Sequence, residues 1–144
     1  MAADCGYDKI AALVDAADDA LDTIDNFVKY QNQFDDFIVA IGNPASRRAV
    51  VEKVRGAFNL ATLIHPMAVI SKSALIEPGC IIELYVVVHP AAVVKESCLI
   101  NAGAVINHDS TVEAYSYVGC NVVVGARTVV PEETKVEHCE WYVK

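Results

Sequence analysis

The sequence of 144 residues predicts a parallel β-helix preceded by a short α/β fragment and an acidic N-terminal helix. Three observations predict this fold class. An aliphatic residue recurs every six positions in the C-terminal part, a strand and a helix with clear end signals precede it, and a surplus of aspartates is confined to the first 37 residues. We therefore divide the chain into 1–63, the helix and the α/β fragment, and 64–144, the β-helix.

The acidic charge lies at the N-terminus. Residues 1–37 hold nine Asp and two Lys, whereas the remaining ten acids and nine bases nearly cancel. Apolar residues in this segment alternate spacings of four and three, as on one stripe of a helix: Ile10, Val14, Ala17, Leu21, Ile24 and Val28. We expect a helix over 7–31 that packs this stripe on the α/β fragment and turns its aspartates to water, or else a coiled-coil strand that binds a partner.

The composition disfavours several classes of function. A formal net charge of −8 argues against binding to nucleic acid or to an anionic membrane, because phosphate affinity comes from clustered Lys and Arg. No apolar run reaches the roughly 18 residues that span a bilayer, and the N-terminus does not resemble a secretory signal. Five cysteines without a CxxC pair predict reduced thiols. We expect a soluble, cytoplasmic protein.

The middle of segment 1–63 predicts a strand, a helix and a second strand. FIVAIG, residues 37–42, is typical of a buried strand, and Asn43 and Pro44 are favoured residues at the start of a helix that Gly56 can end. ATLIHP, residues 61–66, begins the second extended segment. This order is typical of nucleotide-binding α/β folds, although no GxGxxG motif opens it, so packing and ligand contact both remain open for Asn43.

The C-terminal part repeats every six residues. Ile or Val occupies thirteen consecutive positions of this period: Ile64, Ile70, Ile76, Ile82, Val88, Val94, Ile100, Ile106, Val112, Val118, Val124, Val130 and Val136. Small or compact residues, including Cys80 and Cys98, stand two positions before them. One large and one small inward residue in each hexad fit a triangular prism of eighteen residues per coil, rising about 4.8 Å per coil. Cys80 and Cys98 should therefore stack in the core.

Three blocks of the sequence carry a resemblance to a known family. They are IGNPASRR, LATLIHPMAVISKSALIEPG and INAGAVINHDSTVEAYSYVG, within residues 37–125. They resemble the hexapeptide-repeat sugar acetyltransferases, which include sialic-acid O-acetyltransferases and N-acetyltransferases of bacterial amino sugars. The resemblance implies a left-handed β-helix, which is an exception to the usual right-handed crossover, and a truncated Rossmann-like fragment that holds the sugar. It also implies a homotrimer that binds acetyl-CoA between neighbouring subunits.

The resemblance also implies a catalytic pair. In the family a His followed by an acidic residue supplies the general base, and this pair matches His108 and Asp109. Acyl transfer from a thioester needs a group that takes the acceptor's proton, and His, with an ordinary pKa near 6.5, suits that task. His108 falls at a corner of the predicted prism, where Asp109, or Glu113 one hexad on, would steady the charged imidazole. A second His of the family, in the next coil, corresponds to Tyr117 here.

Other polar residues are candidates for substrate binding, although each also fits a structural role. They are Asn43, Arg47, His65, His89 and Asn107. Asn43 with Arg47 or Arg48 begins a helix suited to binding anionic groups of an acceptor. His89 and Asn107 occupy one column on adjacent coils beside His108, and His65 closes the strand that enters the prism.

The outward residue before each inward aliphatic is also apolar in nearly every hexad. Val69, Val87, Val105 and Val123 should form one such stack. Because a small monomer does not usually expose a large apolar surface, this pattern predicts a closed homotrimer. At the C-terminal end, Trp141 and Tyr142 should cap the last coil, since an open β-helix end exposes its core.

The sequence therefore predicts an acetyltransferase that uses acetyl-CoA as co-substrate and no metal. The acceptor would be an amino or hydroxyl group of a sugar or nucleotide-sugar, acylated by direct transfer with His108 as general base. The alternative is a catalytically degenerate trimeric β-helix that serves as a binding or assembly module. A metal-dependent hydratase on the same scaffold is a third possibility, but the four histidines offer no close pair for zinc.

Overall fold

The computed structural model describes residues 1–11, 13 and 20–143. Its main body is a three-sided prism of parallel two-residue strands, and each strand pairs with the strand eighteen residues further on. The first face comprises β3 (Leu63–Ile64), β6 (Ile81–Ile82), β9 (Leu99–Ile100), β12 (Tyr117–Val118) and β15 (Lys135–Val136). The second face comprises β4 (Val69–Ile70), β7 (Val87–Val88), β10 (Val105–Ile106), β13 (Val123–Val124) and β16 (Trp141–Tyr142). The third face comprises β5 (Leu75–Ile76), β8 (Val93–Val94), β11 (Thr111–Val112) and β14 (Val129–Val130). The predicted left-handed parallel β-helix is confirmed.

The prism is filled as the two columns predict. The aliphatic column from Ile82 to Val136 is fully buried, and Cys80 and Cys98 lie in the same core. The Cys80 thiol donates to the carbonyl of Lys95 at 2.9 Å, and the Cys98 thiol donates to that of Glu113 at 3.1 Å. Burial raises the pKa of the Cys98 thiol. Both cysteines therefore act as small core residues.

Four-residue turns join the faces at three corners, which we name by one residue each. The His108 corner (71–74, 89–92, 107–110 and 125–128) joins the second face to the third. The Tyr115 corner (77–80, 95–98, 113–116 and 131–134) joins the third face to the first, and the His138 corner (65–68, 83–86, 101–104, 119–122 and 137–140) joins the first to the second. Every sixth residue from Gly79 to Cys139 has a positive φ, as the third position of a type II turn requires.

The α/β fragment has the predicted order. Strand β1 (Asp36–Phe37) pairs in parallel with β2 (Asn59–Leu60), and helix α1 (Pro44–Val54) connects them. The side chain of Asn43 accepts a hydrogen bond from the backbone N–H of Ser46 at 2.9 Å. The predicted cap at Asn43 is thus confirmed. The two strands differ from the prediction: β1 overlaps the range 37–42 at Phe37 only, and its partner β2 precedes the range 61–66, in which Leu63–Ile64 forms β3 of the prism.

The N-terminal segment differs from the continuous helix predicted over 7–31. Two short 3-10 helices, Ala3–Cys5 and Ile24–Tyr30, are its described helical parts. Of the predicted apolar stripe, Ile10, Leu21 and Val28 are exposed, and Val14 and Ala17 lie outside the described residues. The carboxylate of Asp22, just before the second of these helices, accepts from the backbone N–H of Thr23 at 2.8 Å and from the side chain of Asn26 at 2.7 Å. No helix in the described ranges is long and apolar enough to cross a membrane.

The α/β fragment covers the first face and leaves the other two open. On the first face the outward residues Leu63, Ile81 and Leu99 are at most 7% exposed, and only Lys135 at its far end is open to solvent. By contrast, Val69 on the second face is 63% exposed and Leu75 on the third is 52% exposed. The His108 corner joins the two open faces. It therefore lies on the opposite side of the prism from the α/β fragment.

At the C-terminal end, the two aromatic residues behave differently. Tyr142 turns inward and is buried against the last coil, as predicted for a cap. Trp141 points outward from the second face and is 74% exposed. It continues the outward stack of Val69, Val87, Val105 and Val123, which pair in register.

Candidate functional site

His108 and Asp109 form a hydrogen-bonded pair on an exposed corner. The Nδ1 atom of His108 lies 2.8 Å from the Oδ2 atom of Asp109, and about half of each side chain is accessible. The pair occupies the two central turn positions between β10 and β11, and Asp109 has φ +58°. The left-handed backbone of Asp109 allows adjacent side chains to meet, so Asp109 and not Glu113 holds the imidazole. The Nε2 atom remains available to a substrate.

His89 and Asn107 lie on the same corner. Backbone hydrogen bonds join the coils here, with the N–H of His89 donating to Ile106 at 2.9 Å and that of Asp109 donating to Pro90 at 3.2 Å. The Asn107 amide donates to the carbonyl of Val124 at 3.0 Å, which ties its coil to the next. Eighteen-residue stacking therefore brings together four of the predicted site residues: His89, Asn107, His108 and Asp109.

Arg47 has a structural position that does not fit the predicted role in binding an acceptor. Its side chain is 1% exposed. Its guanidinium donates to the carbonyls of Ser97 and Ser116, each at 2.9 Å, and of Tyr115, as well as to Ile41 at 2.5 Å. Because these donors are used, Arg47 anchors α1 to the Tyr115 corner and has no hydrogen-bonding capacity facing a ligand. The prediction that Arg47 binds the acceptor is therefore corrected: Arg47 is a structural anchor.

The remaining predicted residues lie away from His108. Asn43 caps α1 on the covered side of the prism, where a Cβ added at the neighbouring Gly42 would lie 3.8 Å from the Tyr117 ring. His65 belongs to the His138 corner, and its Nδ1 atom accepts from the backbone N–H of Met67 at 3.0 Å. Within one copy of the chain, the start of α1 and the His108 corner cannot contact the same small acceptor.

A polar network surrounds Tyr115, which no sequence pattern predicts. Its hydroxyl donates to Glu52 at 2.7 Å and contacts Glu96 at 3.0 Å, while Arg55 pairs with both carboxylates. Burial, reinforced by these two carboxylates, raises the pKa of Tyr115, and Arg55 lowers the pKa of Glu52. Glu96 lies on the same corner as Tyr115, 19 residues earlier, whereas Glu52 and Arg55 are 63 and 60 residues from Tyr115 and lie outside the repeat. The network fastens α1 to the prism and contacts neither His108 nor Asp109.

An apolar cavity of about 430 Å³ lies between the N-terminal segment and the α/β fragment. Its walls include Ile10, Phe34, Phe37, Ile41 and Leu63. The charged residues of its lining, Lys9 and Asp36, are one of each sign, which does not suit a phosphorylated ligand, since that needs a surplus of cations or hydrogen-bond donors. The cavity is also on the covered side of the prism, so the pair on the His108 corner is the stronger candidate for chemistry. Among the described residues, no cluster of three or more His, Cys, Asp or Glu side chains could hold a metal ion.

The fold and this corner define a class of protein: a parallel β-helix with an exposed His–Asp pair that can remove a proton from a bound nucleophile. No protein-family model and no curated protein matches the chain. Several solved structures with the same fold do match it. The acetyltransferase domain of PglB from Neisseria gonorrhoeae, in complex with acetyl coenzyme A, is 26% identical with a TM-score of 0.84, over 99% of this chain and 82% of that chain. A mutant of perosamine N-acetyltransferase from Caulobacter crescentus, in complex with CoA and GDP-perosamine, is 26% identical with a TM-score of 0.67, over 76% of this chain and 56% of that chain.

Proposed function

We propose that this protein transfers the acetyl group of acetyl-CoA to an amino or hydroxyl group of a sugar or nucleotide-linked sugar. The observation that carries the proposal is the His108–Asp109 pair on the open side of a β-helix. The similarity to two acetyltransferase structures, solved with acetyl coenzyme A or CoA, supports it. Five free cysteines, two of them in the core, fit a reducing compartment such as the cytoplasm, where we place the activity.

The mechanism is a direct transfer. Nε2 of His108 takes the proton as the acceptor nitrogen or oxygen attacks the thioester carbonyl, and the carboxylate of Asp109 steadies the imidazolium through Nδ1. A new C–N or C–O bond forms, the C–S bond breaks, and the proton passes from His108 to the CoA thiolate. Since no enzyme nucleophile is acylated, the kinetics should be sequential and not ping-pong.

We propose that the active form is a homotrimer. The His108 corner and the α/β fragment lie on opposite sides of one prism, so an acceptor held near Asn43 of one copy can reach His108 only in a neighbouring copy. The two open faces beside this corner expose Val69, Leu75, Val129 and Trp141, a surface that a second copy would cover. A closed cyclic arrangement covers the same surface on every copy.

The test of activity uses purified protein, acetyl-CoA and a panel of nucleotide-linked amino sugars that begins with GDP-perosamine, with release of the CoA thiol as the readout. His108→Ala should lower turnover by roughly 10² to 10⁴, the range for loss of a general base. Asp109→Asn should lower it less, because the imidazole remains. His138→Ala, an exposed histidine on another corner, is the matched control and should keep full turnover.

Two outcomes would contradict the proposal. Full turnover of His108→Ala with a confirmed acceptor would place the base elsewhere, with His65 or His89 next. No transfer to any acceptor together with no CoA binding would favour the degenerate binding or assembly module.

The test of the trimer is light scattering on the intact chain. Three copies are expected at micromolar concentration, and Val105→Lys, at the centre of the second face, should give monomers that lose activity. Leu75→Lys probes the third face in the same way, whereas Lys135→Ala on the first face should leave the trimer intact. A parent chain that remains a stable monomer would refute the assembly.

A further inference from the structure

The five free cysteines fall into two groups by the surroundings of their thiols. Those of Cys5, Cys80 and Cys98 donate to backbone carbonyls. Within the described structure the thiols of Cys120 and Cys139 make no hydrogen bond, and Cys139 is exposed while Cys120 is half-buried. A dissolved reagent can therefore reach both of these thiols without unfolding the protein.

Cys120 and Cys139 lie on neighbouring coils of the His138 corner. The backbone N–H of Cys139 donates to the carbonyl of Cys120 at 2.8 Å, and the backbone N–H of Cys120 donates to the Nδ1 atom of His138 at 2.8 Å. These two bonds hold one turn against the next. A rise of about 4.8 Å per coil and a step of about 3.8 Å along the chain place the two Cα atoms about 6 Å apart. This separation is within the roughly 4.4–6.8 Å that a disulfide spans.

Side chains at the turn position of Cys139 reach back toward the preceding coil. On the same corner, the Oδ1 atom of Asn121 would contact a Cβ added at Gly103, and Ser97 reaches back in the same way on the Tyr115 corner. Cys139 shares this turn position and has a positive φ of 61°. For Cys139 the preceding coil is the one that carries Cys120. Because a cysteine side chain turns about χ1 only, rotation of two side chains is enough to bring the sulfur atoms together.

We propose that Cys120 and Cys139 form a redox-active dithiol, which a low-molecular-weight disulfide such as oxidised glutathione closes into a disulfide bond. The thiolate of the exposed Cys139 attacks one sulfur of the small disulfide, whose S–S bond breaks and releases one thiol. The Cys120 thiol then loses its proton and attacks the Cys139 sulfur of the mixed disulfide, which releases the second small thiol. The two cysteines thereby lose two electrons and two protons, which reduce one small disulfide to two thiols.

The other pair of thiols on neighbouring coils, Cys80 and Cys98, is an internal reference for this reaction. Both are fully buried, so a small disulfide does not reach them in the folded protein. Burial also raises the pKa of the Cys98 thiol, which lowers its thiolate fraction. In a reducing compartment the accessible pair remains as thiols and closes only when the ratio of disulfide to thiol rises.

The bridge would fasten the last coil of the described prism. The N–H groups of Val123 and Gly125 donate to the carbonyls of Glu140 and Tyr142 at 2.9 and 2.8 Å, and no described strand pairs with the other edge of β16. A disulfide that closes the loop 120–139 removes conformations from the unfolded chain, so oxidation should stabilise this coil. The inference is independent of the proposed function, because it involves neither acetyl-CoA nor the His108 corner.

The first experiment incubates the intact protein with oxidised glutathione, alkylates the remaining thiols in denaturant and maps the linked peptides by mass spectrometry without a reductant. We expect peptides joined through Cys120 and Cys139 within single chains, with the loss of two hydrogen atoms, while Cys80 and Cys98 stay reduced. Glutathione adducts on the parent without this link would overturn the inference, and so would links that form only between chains.

The second experiment measures how firmly the last coil is held. The bridge should raise the melting temperature by about 5–10 °C. It should also slow the hydrogen exchange of the Val123 and Gly125 amides about tenfold, because these amides exchange when β16 detaches. Dithiothreitol should reverse both changes. A bridge that alters neither quantity would contradict the fastening of this coil.

Matched variants separate the bridge from a general effect of oxidation. Cys120→Ser and Cys139→Ser should each fold like the parent, carry at most one glutathione at this corner and show no rise in melting temperature on oxidation. Cys5→Ser removes a thiol from the N-terminal segment and should form the bridge as the parent does. If Cys120→Ser or Cys139→Ser gains the same stability on oxidation as the parent, another group is responsible and the inference is wrong.

Discussion

Arg47 carries much of the contact between helix α1 and the β-helix. Its guanidinium is buried and donates to carbonyls of both parts of the chain, including Ser97, Tyr115 and Ser116. Burial lowers its pKa, although an arginine remains charged at neutral pH. A charged group in this position is costly to bury and is retained only while every donor is satisfied.

Replacing Arg47 by Met should lower the free energy of unfolding by about 3–5 kcal/mol, because the carbonyls that it satisfies would lose their partner in a buried place. Arg47→Lys should recover only part of this loss, since an ammonium group cannot reach carbonyls on several sides. Urea denaturation measures the free energy of unfolding of both variants. The adjacent exposed Arg48 offers the control, and Arg48→Met should cost less than about 1 kcal/mol. Equal losses for the two arginines would mean that Arg47 is not the anchor.

Asp22 makes the helix Ile24–Tyr30 sensitive to acid. Hydrogen bonds from Asn26 and from the backbone of Thr23 lower the pKa of Asp22 from 3.8 to about 2. A carboxylate with a lowered pKa contributes stability that is complete above its unfolded value and is lost as the pH falls through the folded value. We expect the amide signals of Thr23 and Asn26 to shift between about pH 4 and 2. In Asp22→Asn this NMR transition should be missing, and its persistence there would assign it to another acid.

At the scale of the structural element, the repeat unit is a two-residue strand followed by a tight turn. Each turn stacks directly on the turn one coil earlier, so the space above a turn is set by the backbone of its neighbour. Gly119 shows the closest such approach: a Cβ there would lie 2.8 Å from backbone atoms of Glu137 and His138. Backbone cannot rotate away as a side chain can.

Gly119→Ala should therefore destabilise the last two coils by about 1–3 kcal/mol, the range for overpacking. Differential scanning calorimetry should show a lower melting temperature. Gly125→Ala is the matched control, because its closest contact is the tip of the Val143 side chain, at 2.5 Å, which can move aside. A larger loss for Gly125→Ala than for Gly119→Ala would contradict this account of the stacking.

At the scale of the whole molecule, the α/β fragment and the N-terminal segment serve as the cover of the first face. The thiol of Cys5 donates to the carbonyl of Ile64 at 3.4 Å, and the segment lines the apolar cavity together with Leu63. The other two faces have no such cover in the described structure. This asymmetry leaves the His108 corner uncovered in the described structure.

Deleting residues 1–31 should expose the apolar wall formed by Phe37, Ile41 and Leu63. We expect aggregation or a clear fall in melting temperature, because newly exposed apolar surface promotes association. Light scattering measures the aggregation, and thermal unfolding measures the melting temperature. A full-length chain with Asp8→Asn removes one acid of this segment without touching the ion pair between Asp25 and Lys53, and it should melt close to the parent. If the deletion melts like the parent, the segment is a tether and not a cover.

The sequence alone determined the parts of this protein that follow a period or a local signal. The hexad repeat led to the prism, to its buried column with Cys80 and Cys98, and to the corner that carries His108 and Asp109, because a coil of fixed length places residues eighteen apart in contact. The cap at Asn43 could be predicted for a similar reason, since it depends on the next few residues only.

The tertiary structure decided what no period relates. The burial of Arg47 depends on where α1 docks on the Tyr115 corner. The network of Tyr115 and Glu96 with Glu52 and Arg55 likewise joins that corner to residues outside the repeat. The N-terminal stripe predicted one helix over 7–31, but its described helical parts are Ala3–Cys5 and Ile24–Tyr30. Asp22 holds the second of these by accepting hydrogen bonds from the side chains of Asn26, Lys29 and Tyr30. Docking and contacts of this kind depend on three-dimensional neighbours, and the docking of α1 separated Asn43 and Arg47 from His108, which the sequence had placed in one site.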